Sequence, residues 1–233
     1  MMSRNGLLFL VAAALTVQFP QLKAAPDNQI APSPGEKNLI ARAERAFSAG
    51  NLKEAESLYG KAAATTPDSV PLLVSLAAVK TRLGKTEESR TLLRRALSHD
   101  LGNGAAWLLL GMNALEQNND TEAVADLMQA VCHDGKNPRA HNYLGIAAGR
   151  RGWSEVSEQE LRRAVELNPN YADANFNLAV FYIGRTPPLL EQGRRHYQRA
   201  LDLGATRDAA LEARIAKSVA NPSSAPAPSA AIP

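Results

Sequence analysis

Cysteine is almost missing from this chain of 233 residues. Cys132 stands alone, which excludes an internal disulfide and leaves stability to packing. The marks of catalysis are missing too. His99, His133, His141 and His196 are scattered, no Cys/His or carboxylate group has metal-ligand spacing, and there is neither a glycine-rich phosphate loop nor a Gly-x-Ser-x-Gly elbow. We therefore expect no catalytic residue, no metal and no cofactor. Excess charge is also scarce: the formal net charge is +3, and it falls to +1 if residues 1–24, which hold Arg4 and Lys23 but no acid, are removed. Such a balance argues against nucleic acid as a ligand.

Only one long apolar run stands out, Leu7–Val17, with Arg4 before it and the small residues Ala24 and Ala25 after it. It reads as a secretory signal peptide cleaved after Ala24, giving an exported, periplasmic or secreted protein. The alternative is a retained anchor, but a membrane helix needs about twenty apolar residues. The mature chain is expected to carry no integral span, and the lack of a nearby Cys argues against a lipid anchor. Residues 25–35 hold Pro26, Pro32 and Pro34 and read as a linker; residues 220–233, rich in Pro, Ser and Ala, read as a disordered tail.

Between these ends the chain repeats itself. Ala62, Ala96, Ala130 and Ala164 are 34 residues apart and Ala200 follows after 36. A small and then a bulky residue precede each alanine, as in Ala55-x3-Tyr59-x2-Ala62 and Ala123-x3-Leu127-x2-Ala130. About sixteen residues earlier lies a second set: Leu39-x2-Arg42-Ala43, Leu73-x2-Leu76-Ala77, Trp107-x2-Leu110-Gly111, His141-x2-Leu144-Gly145 and Asn175-x2-Leu178-Ala179. Both spacings are helical, so each unit is a helix pair.

This pattern resembles the tetratricopeptide repeat family, whose 34-residue unit carries W-x2-L-G-x2-Y, then A-x3-F, then Pro. The departures are Arg42 for Leu, Lys80, Ala46, Ala114 and Ala148 for Tyr, and Leu101, Gly135 and Ala205 for the closing Pro. The resemblance implies an all-α fold, a right-handed α-α superhelix of five helix pairs plus a capping helix. The repeats are residues 36–69, 70–103, 104–137, 138–171 and 172–207, and the cap is 208–219, with Leu211, Ile215 and Val219 on one stripe. Two extra residues of the fifth repeat fall in the turn Gly184–Pro188. Small residues at Ala43, Ala77, Gly111, Gly145 and Ala179 set the helix approach.

In that family one side of the first helices lines a concave groove. Here the resemblance assigns it Val74, Leu108, Met112, Asn142, Tyr143, Ile146, Phe176, Asn177 and Val180, an apolar face with two amides to orient a ligand backbone. Phe47, Leu115 and Ile183 are expected in the core instead, and for Leu108, Met112, Ile146, Phe176 and Val180 the pattern leaves groove and core equally open. The Lys/Asn clamp for a C-terminal carboxylate is absent, its positions holding Ile40, Glu44, Ser75, Ala105 and Leu109. On the other side, Arg94-Arg95, Arg162-Arg163 and Arg194-Arg195 offer basic pairs; neighbouring Glu158 and Glu166 make an ordinary solvated face the expectation. Cys132 belongs on an outer helix side, and His141 is expected to be packed and hydrogen-bonded. The reading is a non-catalytic scaffold or adaptor of the cell envelope that holds a protein or peptide segment. The alternative is a self-associating structural repeat protein, a homo-oligomer.

Overall fold

The computed structural model describes residues 33–220. Among them are eleven α-helices and no strand. The described residues form two compact units that meet in sequence between Lys136 and Asn137. The first unit holds α1 (Pro34–Ser48), α2 (Leu52–Thr65), α3 (Val70–Arg82), α4 (Thr86–His99), α5 (Gly104–Glu116) and α6 (Asp120–His133). The second holds α7 (Pro138–Arg150), α8 (Ser154–Leu167), α9 (Ala172–Gly184), α10 (Leu190–Asp202) and α11 (Ala209–Ala220). Residues 1–24, most of the expected linker and nearly all of the expected tail lie outside the described residues.

Each helix packs most extensively on the other member of its pair: α1 on α2, α3 on α4, α5 on α6, α7 on α8, α9 on α10. The reason is visible at the alanine ladder, where Ala62, Ala96, Ala130, Ala164 and Ala200 are all 0% exposed. Opposite them even a methyl group is excluded in two repeats. A Cβ on Gly111 would overlap Leu127 Cγ, and one on Gly145 would lie 2.7 Å from Leu161 Cγ. Further contacts, α2 on α3, α4 on α5 and α3 on α5 in the first unit, α8 on α9 and α7 on α9 in the second, stack one pair on the next. Helix α11 closes the second unit against α9 and α10, with Leu211 buried.

The turn inside each pair repeats too. Gly50, Gly84, Asn118 and Gly152 take positive φ, and the next backbone N–H returns to the helix: Asn51 to Ala46 O at 2.8 Å, and Lys85 to Lys80 O, Asn119 to Ala114 O and Trp153 to Ala148 O at 2.9 Å. This is the glycine-terminated helix end that satisfies otherwise orphaned carbonyls. In the fifth repeat the same bond runs from Leu189 to Tyr182 O at 2.9 Å, spanning the two-residue insertion.

One expected boundary is corrected. Pro34 and Gly35, read as linker, form the first turn of α1, because Ser33 Oγ caps it by accepting from the Glu36 N–H at 3.2 Å and proline is preorganised for a first helical position. The departures from the family pattern have physical compensation. Lys80, in place of Tyr, ties three helices by ion pairs to Glu56 of α2 at 2.8 Å and Glu88 of α4, while Lys85 also reaches Glu56 at 2.7 Å. Arg42, in place of Leu, is exposed. Phe47, Leu115 and Ile183 are buried as expected, and Cys132 is exposed on α6.

Candidate functional site

The first-helix faces are built differently in the two units. In the first, Val74 on α3 is partly buried and packs against the cluster of Val70, Leu73 and Ala96, while Leu108 and Met112 on α5 are buried. In the second, Asn142, Tyr143 and Ile146 on α7 and Asn177 and Val180 on α9 are buried. Phe176 keeps partial exposure, its ring 6.1 Å from that of Tyr197 on α10. An open apolar lining is therefore not what these nine side chains form. Helical periodicity assigns a face, but exposure depends on what packs across it, and seven of the nine lie below a tenth exposed.

The two amides are also placed otherwise than expected. Instead of both facing a ligand they bond each other: Asn177 Nδ2 donates to Asn142 Oδ1 at 3.0 Å. That leaves Asn177 Oδ1 buried without a hydrogen-bond partner among the described residues. A buried acceptor without a donor costs about 1–3 kcal/mol. Of the absent clamp positions, Ile40, Glu44, Ser75 and Ala105 are partly exposed and Leu109 is buried.

Three of the six arginines in the basic pairs on the second helices have carboxylate partners among the described residues. Arg95 pairs with Asp68 at 2.7 Å and holds its carboxyl below the usual carboxylate range; Arg94 lies 3.7 Å from Glu122, and Arg163 lies 3.3 Å from Glu166. Water screens pairs so exposed, so they add little to stability and make an ordinary mixed surface. His141 is buried with Nδ1 2.6 Å from Glu160 Oε2, a packed histidine in the position of the family Trp. His196 Nδ1 lies 3.1 Å from Asn175 Oδ1, and burial, with Arg195 as a second cause, pushes its pKa down. Among the described residues no three His, Cys, Asp or Glu side chains are grouped to hold a metal ion, and no helix is long and apolar enough to cross a membrane.

One charged group escaped the sequence reading. Asp126 on α6 is half-buried and makes neither a hydrogen bond nor an ion pair among the described residues. Its signal was available, since Asp126 follows Trp107 by the same 19 residues that separate His141 from its partner Glu160.

Comparison with known proteins agrees with this architecture. The tetratricopeptide repeat family matches residues 46–112. Protein O-mannosyl-transferase TMTC1 of Homo sapiens is 28% identical over 165 residues, which cover 67% of this chain but only 18% of that protein. The solved structure of pilF from Pseudomonas aeruginosa superposes with a TM-score of 0.69 at 21% identity, covering 80% of this chain and 85% of that one. A thermophilic TPR protein of Thermus thermophilus gives a TM-score of 0.64 at 18% identity, covering 79% and 99%. At such identities the likeness speaks for the fold alone. With five alanine-centred helix pairs in register, a family match over residues 46–112 and structural neighbours of the same build, this chain has the tetratricopeptide repeat fold.

Proposed function

We propose that the protein is a non-catalytic interaction scaffold or adaptor of the cell envelope, which holds a segment of another protein against its first-helix faces. The observation that carries this reading is Asn177 Oδ1, an acceptor buried beside Asn142 with no donor to accept from among the described residues. Packing does not require an amide there, since Leu109 fills the same position two repeats earlier. A partner's N–H meeting Asn177 Oδ1 would remove the cost, and apolar contact would add about 25 cal/mol per Å² buried. Because this oxygen has no accessible surface in the free chain, entry of the segment has to part the side chains over it. Export rests on Arg4, Leu7–Val17 and Ala24, and is part of the same proposal.

The test is a photo-cross-linking amino acid placed at Val74 or Phe176, the two partly exposed positions of the face, in cells producing the full chain. Met128, 55% exposed on α6, serves as the control site. The expectation is one discrete heterologous adduct from the face positions and none from Met128. Adducts of the chain with itself would favour the self-associating alternative, and identical patterns from all three sites would refute a dedicated face. Fractionation in the same cells checks the compartment: a soluble envelope or secreted chain beginning near Ala25 is expected, and an intact N-terminus in washed inner membrane would contradict export.

A further inference from the structure

One pair of positions recurs through the repeats, the first-helix residue in the place of the family Trp and the second-helix residue that follows 19 places later, or 21 in the longer fifth repeat. In the second repeat Leu92 packs against the cluster that contains Leu73. In the fourth, His141 bonds Glu160 at 2.6 Å; in the fifth, Asn175 meets His196 at 3.1 Å. The third repeat brings Trp107 and Asp126 to one cleft of about 340 Å³ but does not join them. The indole N–H donates instead to Leu101 O at 2.9 Å, and the Asp126 carboxylate has no hydrogen-bond or ion-pair partner among the described residues. Around them stand Leu97, Leu110 and Leu101, the last 69% exposed, with Arg94, Ser98 and Glu122 at the polar side.

We propose that this cleft of the first unit binds the guanidinium of an arginine side chain presented by a partner protein, with Asp126 pairing the cation and Trp107 and the leucines covering its planar and aliphatic parts. Charge complementarity selects the occupant. Neighbouring Glu122 is already engaged by Arg90 at 2.6 Å and lies 3.7 Å from Arg94, whereas Asp126 makes no ion pair among the described residues and feels Arg90 and Arg94 only at longer range. A carboxylate beside an indole suits a flat cation that stacks and donates two parallel N–H bonds, which a lysine ammonium does not do. The cleft volume lies at the lower end for ligand pockets, room for one side chain rather than a chain segment.

The electrostatics agree with an unfilled cation position. Burial first, and the Glu122 charge second, push the Asp126 carboxyl up to about 6, against the opposing pull of Arg90 and Arg94 on α4; α5 contributes only the uncharged Trp107 and Leu110. An incoming guanidinium favours the ionised form, so binding weakens as pH falls through about 6. This surface is separate from the first-helix faces, and its failure would leave that reading intact.

The chain has two tryptophans, Trp107 and Trp153, so Trp153→Phe leaves Trp107 as the fluorescent reporter. Acetyl-arginine amide is titrated into this variant, and acetyl-citrulline amide, its neutral counterpart, serves as control. The expected result is a saturable change in Trp107 emission with the arginine probe, at least about tenfold tighter than with the citrulline probe, lost in Asp126→Asn and weakened below pH about 6. Equal response to both probes, binding retained in Asp126→Asn, or no response to arginine would each overturn the proposal. So would a response that arises only after Arg94→Gln, since Arg94 itself would then be the occupant.

Discussion

Thr81 Oγ1 donates to Asn113 Oδ1 at 2.9 Å, between α3 and α5, two first helices of consecutive repeats in the first unit. The pair is closed by Ser89 on α4, which lies 2.8 Å from Thr81 Oγ1 and accepts from Asn113 Nδ2 at 3.1 Å. All three are buried, and together they satisfy one another across an otherwise apolar stack. Such a triad favours one register of repeat on repeat, since a shifted stacking would leave buried donors unpaired.

Asn113→Ala should therefore destabilise the fold by about 1–3 kcal/mol, because it removes one partner and leaves two hydroxyls to pair alone. Denaturant unfolding measures this. A change within about 0.5 kcal/mol, the range of an ordinary surface substitution, would mean that the network contributes little beyond packing.

Gly111→Ala drives a methyl group into Leu127 Cγ, and Gly145→Ala puts one 2.7 Å from Leu161 Cγ. Each should cost about 1–3 kcal/mol through overpacking, even though alanine is the better helix former. Thermal melting of the two variants decides between these opposed effects, and a raised midpoint would show that Leu127 and Leu161 give way freely.

The Asp126 carboxyl, lifted from the usual 3.8 to about 6, holds its proton in the folded chain to a higher pH than in the unfolded one. The folded state then binds more protons between these two values, so this group favours folding at low pH and its contribution declines as pH rises through the window. Asp126→Asn should raise stability at neutral pH, on the order of 1–2 kcal/mol after solvent screening, with little effect near pH 4. Urea unfolding at several pH values reads this directly; equal gains at both ends would assign the effect to packing instead.

Ile146→Glu and Met112→Glu place a carboxylate at positions only 2% and 4% exposed. Both variants should lose several kcal/mol of stability and melt early, because an unpaired buried charge is not offset. Phe176→Ala, at a partly exposed position, should stay folded. Should the two glutamate variants keep wild-type melting, the first-helix face is open in solution and accessible to a partner without rearrangement.

Part of the candidate site was readable beforehand and part was not. The nine face residues follow from repeat register, and their assignment to α3, α5, α7 and α9 stands. What register did not reveal is their burial, because the same 100° step per residue describes a groove wall and a packed seam equally well. Nor did it reveal that Asn142 and Asn177, 35 residues apart in sequence, pair with each other. Register sets Asp126 opposite Trp107, but it does not reveal that the indole N–H turns to Leu101 O and leaves the carboxylate unbonded among the described residues.

The sequence by itself determined the helices, their pairing and their turns, since these depend on contacts within one 34-residue unit: fully buried ladder alanines, left-handed Gly or Asn at the turn, Leu127 and Leu161 over bare glycine backbone. Tertiary structure alone decided which polar groups find partners. Thr81, Ser89 and Asn113 complete one another, whereas Asn177 Oδ1 and the Asp126 carboxylate are left over. Hydrogen bonds and ion pairs are made at specific distances between residues of different helices, and no periodicity within a single helix encodes whether the opposite position supplies a donor, a cation or an indole.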